Sequence, residues 1–113
     1  MRAFNVAFAL LIIIGAANAA NNKLKFWNLT ANTVTELYLA PAETQNWGEN
    51  QTKNDPDGSV DHDERLTVRN TPPGLYDAKL TDKAGRTCTV KNIEVKDKGV
   101  FSIEEKQLTD CTK

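Results

Sequence analysis

The sequence predicts an all-β protein: a small antiparallel β-sandwich or barrel of six or seven strands with one long acidic loop. Three observations predict this class. Apolar and polar residues alternate in short runs, and turns rich in Gly, Pro, Asn and Asp separate the runs. Beyond the N-terminal segment, no run carries the apolar stripe of an amphipathic helix. With 113 residues, the chain suffices for one domain with a modest core.

Residues 1–19 are predicted to be a secretory signal peptide. Arg2 gives a positive start, residues 4–14 are almost entirely apolar, and Ala17-Asn18-Ala19 is a small-x-small cleavage site. The apolar run is too short to span a bilayer and no second one follows. We therefore expect a soluble mature domain of residues 20–113, periplasmic or secreted, with no membrane span.

The first part of the mature chain predicts a β-hairpin. Residues 24–29 and 34–40 are rich in aromatic and branched side chains, and residues 30–33 are suited to the turn between them. The connection that follows, from Pro41 to Glu64, is about two dozen residues long. Connections of this length are uncommon in compact domains unless they are functional or disordered.

Four further strands are predicted after the long connection, over residues 65–69, 75–81, 86–95 and 100–103. In the second of them, Tyr76, Ala78 and Leu80 share one face. In the third, the parity of the apolar residues changes after Val90, which predicts a β-bulge at Asn92. Residues 104–113 are predicted to form a polar tail.

The only two cysteines, Cys88 and Cys111, are predicted to form one structural disulfide. The alternatives are a redox pair or metal thiolates, but the wide spacing lacks the Cys-x-x-Cys form typical of both. On the chain-entropy model, a loop of this length gives roughly 3 kcal/mol of stabilisation. The tail would then be tied back to the domain through Cys111.

Charge is unevenly distributed along the mature chain. The segment 49–64 carries a net charge of −5, whereas the remainder carries about +3. No surface-wide excess of Lys and Arg is evident, which argues against a nucleic-acid partner. Five acids fall within ten residues of the long connection, namely Asp55, Asp57, Asp61, Asp63 and Glu64.

Such a crowded set of carboxylates is either solvated and mobile or organised around a cation. Oxygen-only ligation selects hard ions, which here indicates Ca²⁺ or a lanthanide ion, with the five acids as candidate ligands. A true EF-hand is rejected because Lys53 occupies the first ligand position and no helix flanks the loop. The alternative is a solvated loop that contributes only solubility.

His62, the only histidine, lies within the acidic segment. It is an additional ligand, a residue whose protonation competes with a cation, or a solvent-exposed side chain, and we expect the last of these. An imidazole-dependent triad would have to use this one histidine in a mobile loop, and a paired cysteine is unavailable as a nucleophile, so an enzyme is not expected. Trp47 is expected to plug the core at the sheet edge rather than to form a docking surface. Trp27 is likewise expected to pack.

Four motifs carry a family resemblance: Trp27-Asn28-Leu29-Thr30, Leu37-Tyr38-Leu39-Ala40-Pro41, Asn46-Trp47-Gly48 and Gly74-Leu75-Tyr76-Asp77. The chain resembles small secreted bacterial β-sandwich proteins that share these motifs, a likeness that indicates fold more than function. It is also similar to landiscernin-type lanthanide-binding proteins of the periplasm. That resemblance implies a hard trivalent cation at an exposed site and homodimers bridged by the metal.

Two functions are therefore expected. The first is a periplasmic hard-cation binding protein that uses the acidic loop to buffer, carry or sense a lanthanide or calcium ion. The alternative is a non-catalytic interaction module of the cell envelope that binds no metal. In that case the sheet face or the Trp47-bearing loop would contact another protein.

Overall fold

The computed structural model describes residues 23–113, so the predicted signal peptide lies outside the described residues. The described chain forms two packed β-sheets with seven strands, which confirms the predicted all-β class. The strands are β1 (Lys25–Leu29), β2 (Val34–Pro41), β3 (Arg65–Thr67), β4 (Gly74–Asp82), β5 (Thr87–Val95), β6 (Val100–Glu104) and β7 (Asp110–Thr112). Two short 3-10 helices, Gln51–Asn54 and Glu105–Gln107, lie in the connections.

One sheet has three strands in the order β3-β1-β6, and the other has four in the order β2-β4-β5-β7. In the smaller sheet, β1 pairs antiparallel with β3 and parallel with β6, so that Phe26 lies between Leu66 and Phe101. The larger sheet is antiparallel throughout. The parallel β1–β6 pair departs from the purely antiparallel arrangement that the sequence predicts.

The predicted hairpin between the first two strands is wrong, because β1 and β2 belong to different sheets. The fully buried Asn28 explains the crossing. Its Nδ2 donates to the Asn32 and Val60 carbonyl oxygens at 3.0 and 2.8 Å, and its Oδ1 accepts from the Thr30 amide and hydroxyl. The turn is thus built around a buried side chain and directs the chain into the second sheet.

The core lies between the two sheets and is made of the inward-facing residues of their strands. Its largest fully buried apolar side chains are Phe26, Leu37, Leu66, Leu80 and Ile103. The rings of Phe26 and Phe101 lie 5.5 Å apart between centroids. The predicted inward face of β4 is confirmed, since Tyr76, Ala78 and Leu80 are all buried.

The predicted bulge in β5 is also confirmed. Tyr76 pairs with Ile93 and Ala78 with Val90, so two residues of β5 stand opposite the single residue Asp77. Asn92 has a φ of 61°, a left-handed conformation that asparagine tolerates better than most residues.

Cys88 and Cys111 form the predicted disulfide, which joins β5 to β7. The expected polar tail therefore ends in a short strand rather than in an irregular extension. Within residues 23–113, no helix has the length and hydropathy needed to cross a membrane.

Candidate functional site

The long connection between β2 and β3 is folded against the edge of β2. The Gly48 amide donates to the Leu39 oxygen at 2.9 Å, and Val60 exchanges two backbone hydrogen bonds with Val34. Between these points, the Asn50 Oδ1 accepts from the Leu37 amide at 3.0 Å. Segment 48–60 therefore occupies the hydrogen-bonding positions that a neighbouring strand would otherwise take.

The same segment also contacts the smaller sheet. The buried Gln51 donates to the Arg69 oxygen and accepts from the Arg69 amide, both at 2.9 Å. The Asn54 Nδ2 donates to the Thr67 oxygen at 2.9 Å. The first 3-10 helix thus joins β2 to the end of β3 and closes one side of the sandwich.

Four of the five predicted metal ligands instead accept hydrogen bonds from nearby protein groups. Asp55 accepts from the Asp57 amide at 2.7 Å, and Glu64 accepts from the Asp61 amide at 2.9 Å. The other two bonds reach neighbouring segments, from Thr33 to Asp61 and from Trp27 to Asp63, both at 2.9 Å. The fifth acid, Asp57, is exposed.

The structure does not bring these carboxylates together. Among residues 23–113, no three His, Cys, Asp or Glu side chains lie close enough to hold a metal ion. Asp61 and Asp63 are bonded to different segments, and a shared ion would compete with those bonds. His62 is exposed as expected, and its Nδ1 lies 2.7 Å from the Thr30 oxygen. Metal binding by the loop stays a prediction.

A second group of side chains lies on the outer face of the four-stranded sheet. Tyr38 is paired with Lys79, Lys79 with Thr89, and Thr89 with Asp110, so these residues form one row across all four strands. Burial raises the pKa of the Tyr38 hydroxyl, and the nearby Glu36 carboxylate raises it further. The row therefore presents an un-ionised phenol, a lysine, a hydroxyl and a carboxylate.

Trp47 lies beside this row, and its expected role as a core plug is wrong. The indole is half-buried and is not part of the core. The Lys79 Nζ lies 4.8 Å from the centre of the Trp47 ring and 5.5 Å from that of Tyr38. Such cation–π contacts hold an aromatic ring at the surface.

Between Trp47 and the outer row lies a groove of about 560 Å³, which we call the outer groove. Segment 43–47 forms one wall, Thr89, Lys91 and Asp110 contribute from β5 and β7, and Asp77 also lines it. Spacing alone did not indicate this site, because its parts come from four separate regions of the chain.

Asp77 fixes the wall of the outer groove. The carboxylate is buried, and it accepts from the Glu43 amide at 2.9 Å and from the Asn92 amide at 3.1 Å. It therefore connects the wall segment to the β5 bulge. Glu43 and Gln45 have φ values of 66° and 57°, which non-glycine residues adopt rarely. Such backbone conformations persist only when surrounding contacts impose them, and they cluster at functional sites.

Comparison of the chain with protein-family models, with curated proteins and with solved structures finds no match. The function is therefore inferred from the geometry of the described residues.

Proposed function

We propose that this protein is a non-catalytic binding module of the cell envelope that recognises its partner through the outer groove and Trp47. The observation that carries the proposal is a concave polar surface with an aromatic wall, held in place by the buried Asp77. Ligand sites commonly combine concavity, an aromatic surface and a few fixed polar groups. The Cys88–Cys111 disulfide is consistent with an oxidising compartment.

The chemistry of the outer groove supports recognition rather than catalysis. Its described lining contains neither histidine nor cysteine, and its buried carboxylate already accepts from two backbone amides. Thr89 and Asp110 are paired across β5 and β7, but no hydrogen bond joins the Thr89 hydroxyl to a carboxylate of the described residues, so the hydroxyl has no base positioned to activate it.

Co-sedimentation with cell envelopes isolated from the source organism tests the proposal. We expect the mature protein to pellet with the envelopes, and Trp47→Ala to remove most of the binding. Trp27→Ala is the matched control, because Trp27 is also half-buried but lies on β1 of the smaller sheet. No pelleting, or equal loss in both variants, would refute the assignment to the outer groove.

Hard-cation binding is the second candidate function. It is favoured by the exposure of Asp57, Asp61, Asp63 and Glu64, each of which keeps at least one carboxylate oxygen without a hydrogen bond to the described residues. These oxygens could bind a lanthanide or calcium ion if the loop rearranged around it. A metal-bridged homodimer would use the same oxygens.

Calorimetric titration of the metal-stripped protein with La³⁺ and Ca²⁺ tests this second candidate. Trp27 provides a local fluorescence signal, because its Nε1 donates to Asp63. Asp61→Asn combined with Glu64→Gln removes two negative charges but keeps an acceptor oxygen for each hydrogen bond that the two side chains make. Cation binding should therefore weaken strongly while the fold persists. Glu94→Gln, an exposed acid on β5, is the control. Absence of heat with both ions would eliminate the cation function and leave the binding module.

A further inference from the structure

We infer that the outer groove binds an uncharged oligosaccharide, with one sugar ring stacked on Trp47. The inference rests on the proposed function, because it specifies the ligand of the same groove. Polar complementarity, an aromatic surface and a fixed wall support it.

The polar side chains of the outer groove match the hydroxyl groups of a sugar. Glu43 and Asp110 offer acceptors, Lys91 offers donors, and Gln45 and Thr89 offer both. None of these five side chains has a hydrogen bond or an ion pair to another residue in the described part of the chain, so all five can bond to ligand hydroxyls. Opposite charges are mixed around the groove, which disfavours a polyanion or a strongly basic peptide.

Trp47 supplies the apolar contact with the ligand. A pyranose ring has a face of C–H groups and a rim of hydroxyls, so it can pack against an indole while its rim bonds to polar side chains. Lys79 contacts the ring at 4.8 Å and restrains it before the ligand arrives. The indole Nε1 donates to no acceptor among residues 23–113, which leaves one further donor for the ligand.

The wall of the outer groove is held in one conformation before a ligand binds. The Asp77 carboxylate holds the Glu43 amide, and the Thr44 hydroxyl donates to the Pro41 oxygen at 2.7 Å while accepting from the Asn46 amide. A segment fixed in this way loses little conformational entropy on binding, which favours a ligand that is itself stiff. Pyranose rings meet this requirement better than a flexible peptide.

The shape of this surface also favours a small ligand over a protein. At about 560 Å³, the groove falls within the range of small-molecule sites, roughly 300–1,000 Å³. A protein partner adding a strand to β2 is disfavoured, since segment 48–60 already bonds to that edge at Leu37 and Leu39.

A two-dimensional NMR titration of the mature protein tests the inference, with chitotetraose, cellotetraose and maltotetraose as the probes. At least one probe should shift the Trp47 indole signal and the amides of residues 43–47 and 89–91. Trp47→Ala should weaken binding at least about tenfold, whereas Trp27→Ala should leave it within about twofold. Gln45→Ala and Thr89→Val should each weaken it severalfold without lowering thermal stability.

Failure of the inference and failure of the proposed function give different results. If no probe shifts these signals at about 10 mM, and Trp47-dependent pelleting is abolished by protease treatment of the envelopes, the ligand is a protein. The saccharide inference is then overturned, while the binding module stands. If neither envelopes nor probes bind, both are overturned. Pelleting that survives protease treatment and is competed by the active oligosaccharide supports both.

Discussion

At the scale of single residues, this sandwich depends on polar side chains that bond to backbone at the joins between segments. Asn28 holds the crossing from β1 to β2, Asn50 bonds to the edge of β2, and Asp77 joins the groove wall to the β5 bulge. The Thr30, Leu37 and Glu43 amides each donate to one of these side chains rather than to a neighbouring strand. A buried amide without a partner costs about 1–3 kcal/mol, so each of these few side chains makes a large contribution to the stability of the fold.

Asn50 provides a direct test of this role. Its Oδ1 accepts from the Leu37 amide, the Thr52 amide and the Thr52 hydroxyl, at 3.0, 3.1 and 2.9 Å. Asn50→Ala removes all three bonds, and we expect the free energy of unfolding in urea to fall by about 1–3 kcal/mol. Asn50→Asp keeps an acceptor oxygen and should cost less. Equal losses in the two variants would show that the acceptor is not what matters.

Arg86 links three segments through two carboxylates. Its guanidinium lies 2.9 Å from both Asp82 and Glu105, and Glu105 also accepts from the Ala31 amide. These hydrogen bonds raise the pKa of Arg86, first through Glu105 and then through Asp82. In turn, hydrogen bonding from Arg86, and then from Ala31, lowers the pKa of Glu105 below its ordinary value of 4.5.

Glu105 should therefore stabilise the protein in a pH-dependent manner. Because its pKa is lower in the folded state, its stabilisation is present above the unfolded-state pKa and is lost as the pH falls through the folded-state value. Glu105→Gln should lower the free energy of unfolding at neutral pH by less than about 1 kcal/mol, since the carboxylate is partly exposed. The difference from the parent should shrink below pH 4.5. Urea unfolding at several pH values across the acid range measures this difference in the free energy of unfolding, with Glu94→Gln as the control. A difference that does not change with pH would contradict the expectation.

At the scale of elements, segment 48–60 replaces a strand at the edge of β2. It bonds to β2 through Gly48, Asn50 and Val60, and to the end of β3 through Gln51. An uncovered edge is a template for pairing with another chain, and a bonded irregular segment blocks it. The unusual length of this connection therefore has a structural explanation that does not require a bound ion.

Gln51 is the residue through which the element-level role can be measured. Gln51→Ala removes both bonds to Arg69 and the one that Asn54 donates, so we expect unfolding to become easier by about 1–3 kcal/mol. Asp57→Ala, in the same segment but exposed, should change stability by no more than about 0.5 kcal/mol. Differential scanning calorimetry compares the two. Similar melting temperatures for both variants would argue against a bridging role for Gln51.

The strands and the disulfide could be predicted because their signals are local. The alternation of apolar and polar residues in β4 placed Tyr76, Ala78 and Leu80 on one face. In β5, the apolar residues change from even to odd positions, and this change located the bulge at Asn92. The prediction of a β1–β2 hairpin failed because asparagine is normally a surface or turn residue. Nothing in the sequence pattern therefore indicates that Asn28 is buried. The outer groove was missed for a related reason, since the partners of Asp77 are backbone amides distant in sequence.

At the scale of the whole molecule, the acidic segment and the outer groove are separate features of one small domain. Segment 48–60 closes the side formed by β2 and β3, whereas the groove extends over β4, β5 and β7 of the larger sheet. β7 has only three residues, and it is held by pairing with β5 and by the disulfide. One wall of the groove therefore depends on a covalent link near the C-terminus.

Cys111→Ser tests this dependence, because it removes the bridge while leaving the buried Cys88 in place. With a sequence separation of 23 between the cysteines, we expect the free energy of unfolding to fall by about 2–4 kcal/mol. Release of β7 should also displace Asp110 from the outer groove, so Trp47-dependent envelope binding should weaken even at temperatures where the domain remains folded. Reduced wild-type protein should behave in the same way, which separates loss of the bridge from effects of the serine itself. Full binding by a folded, reduced protein would show that the groove does not need β7.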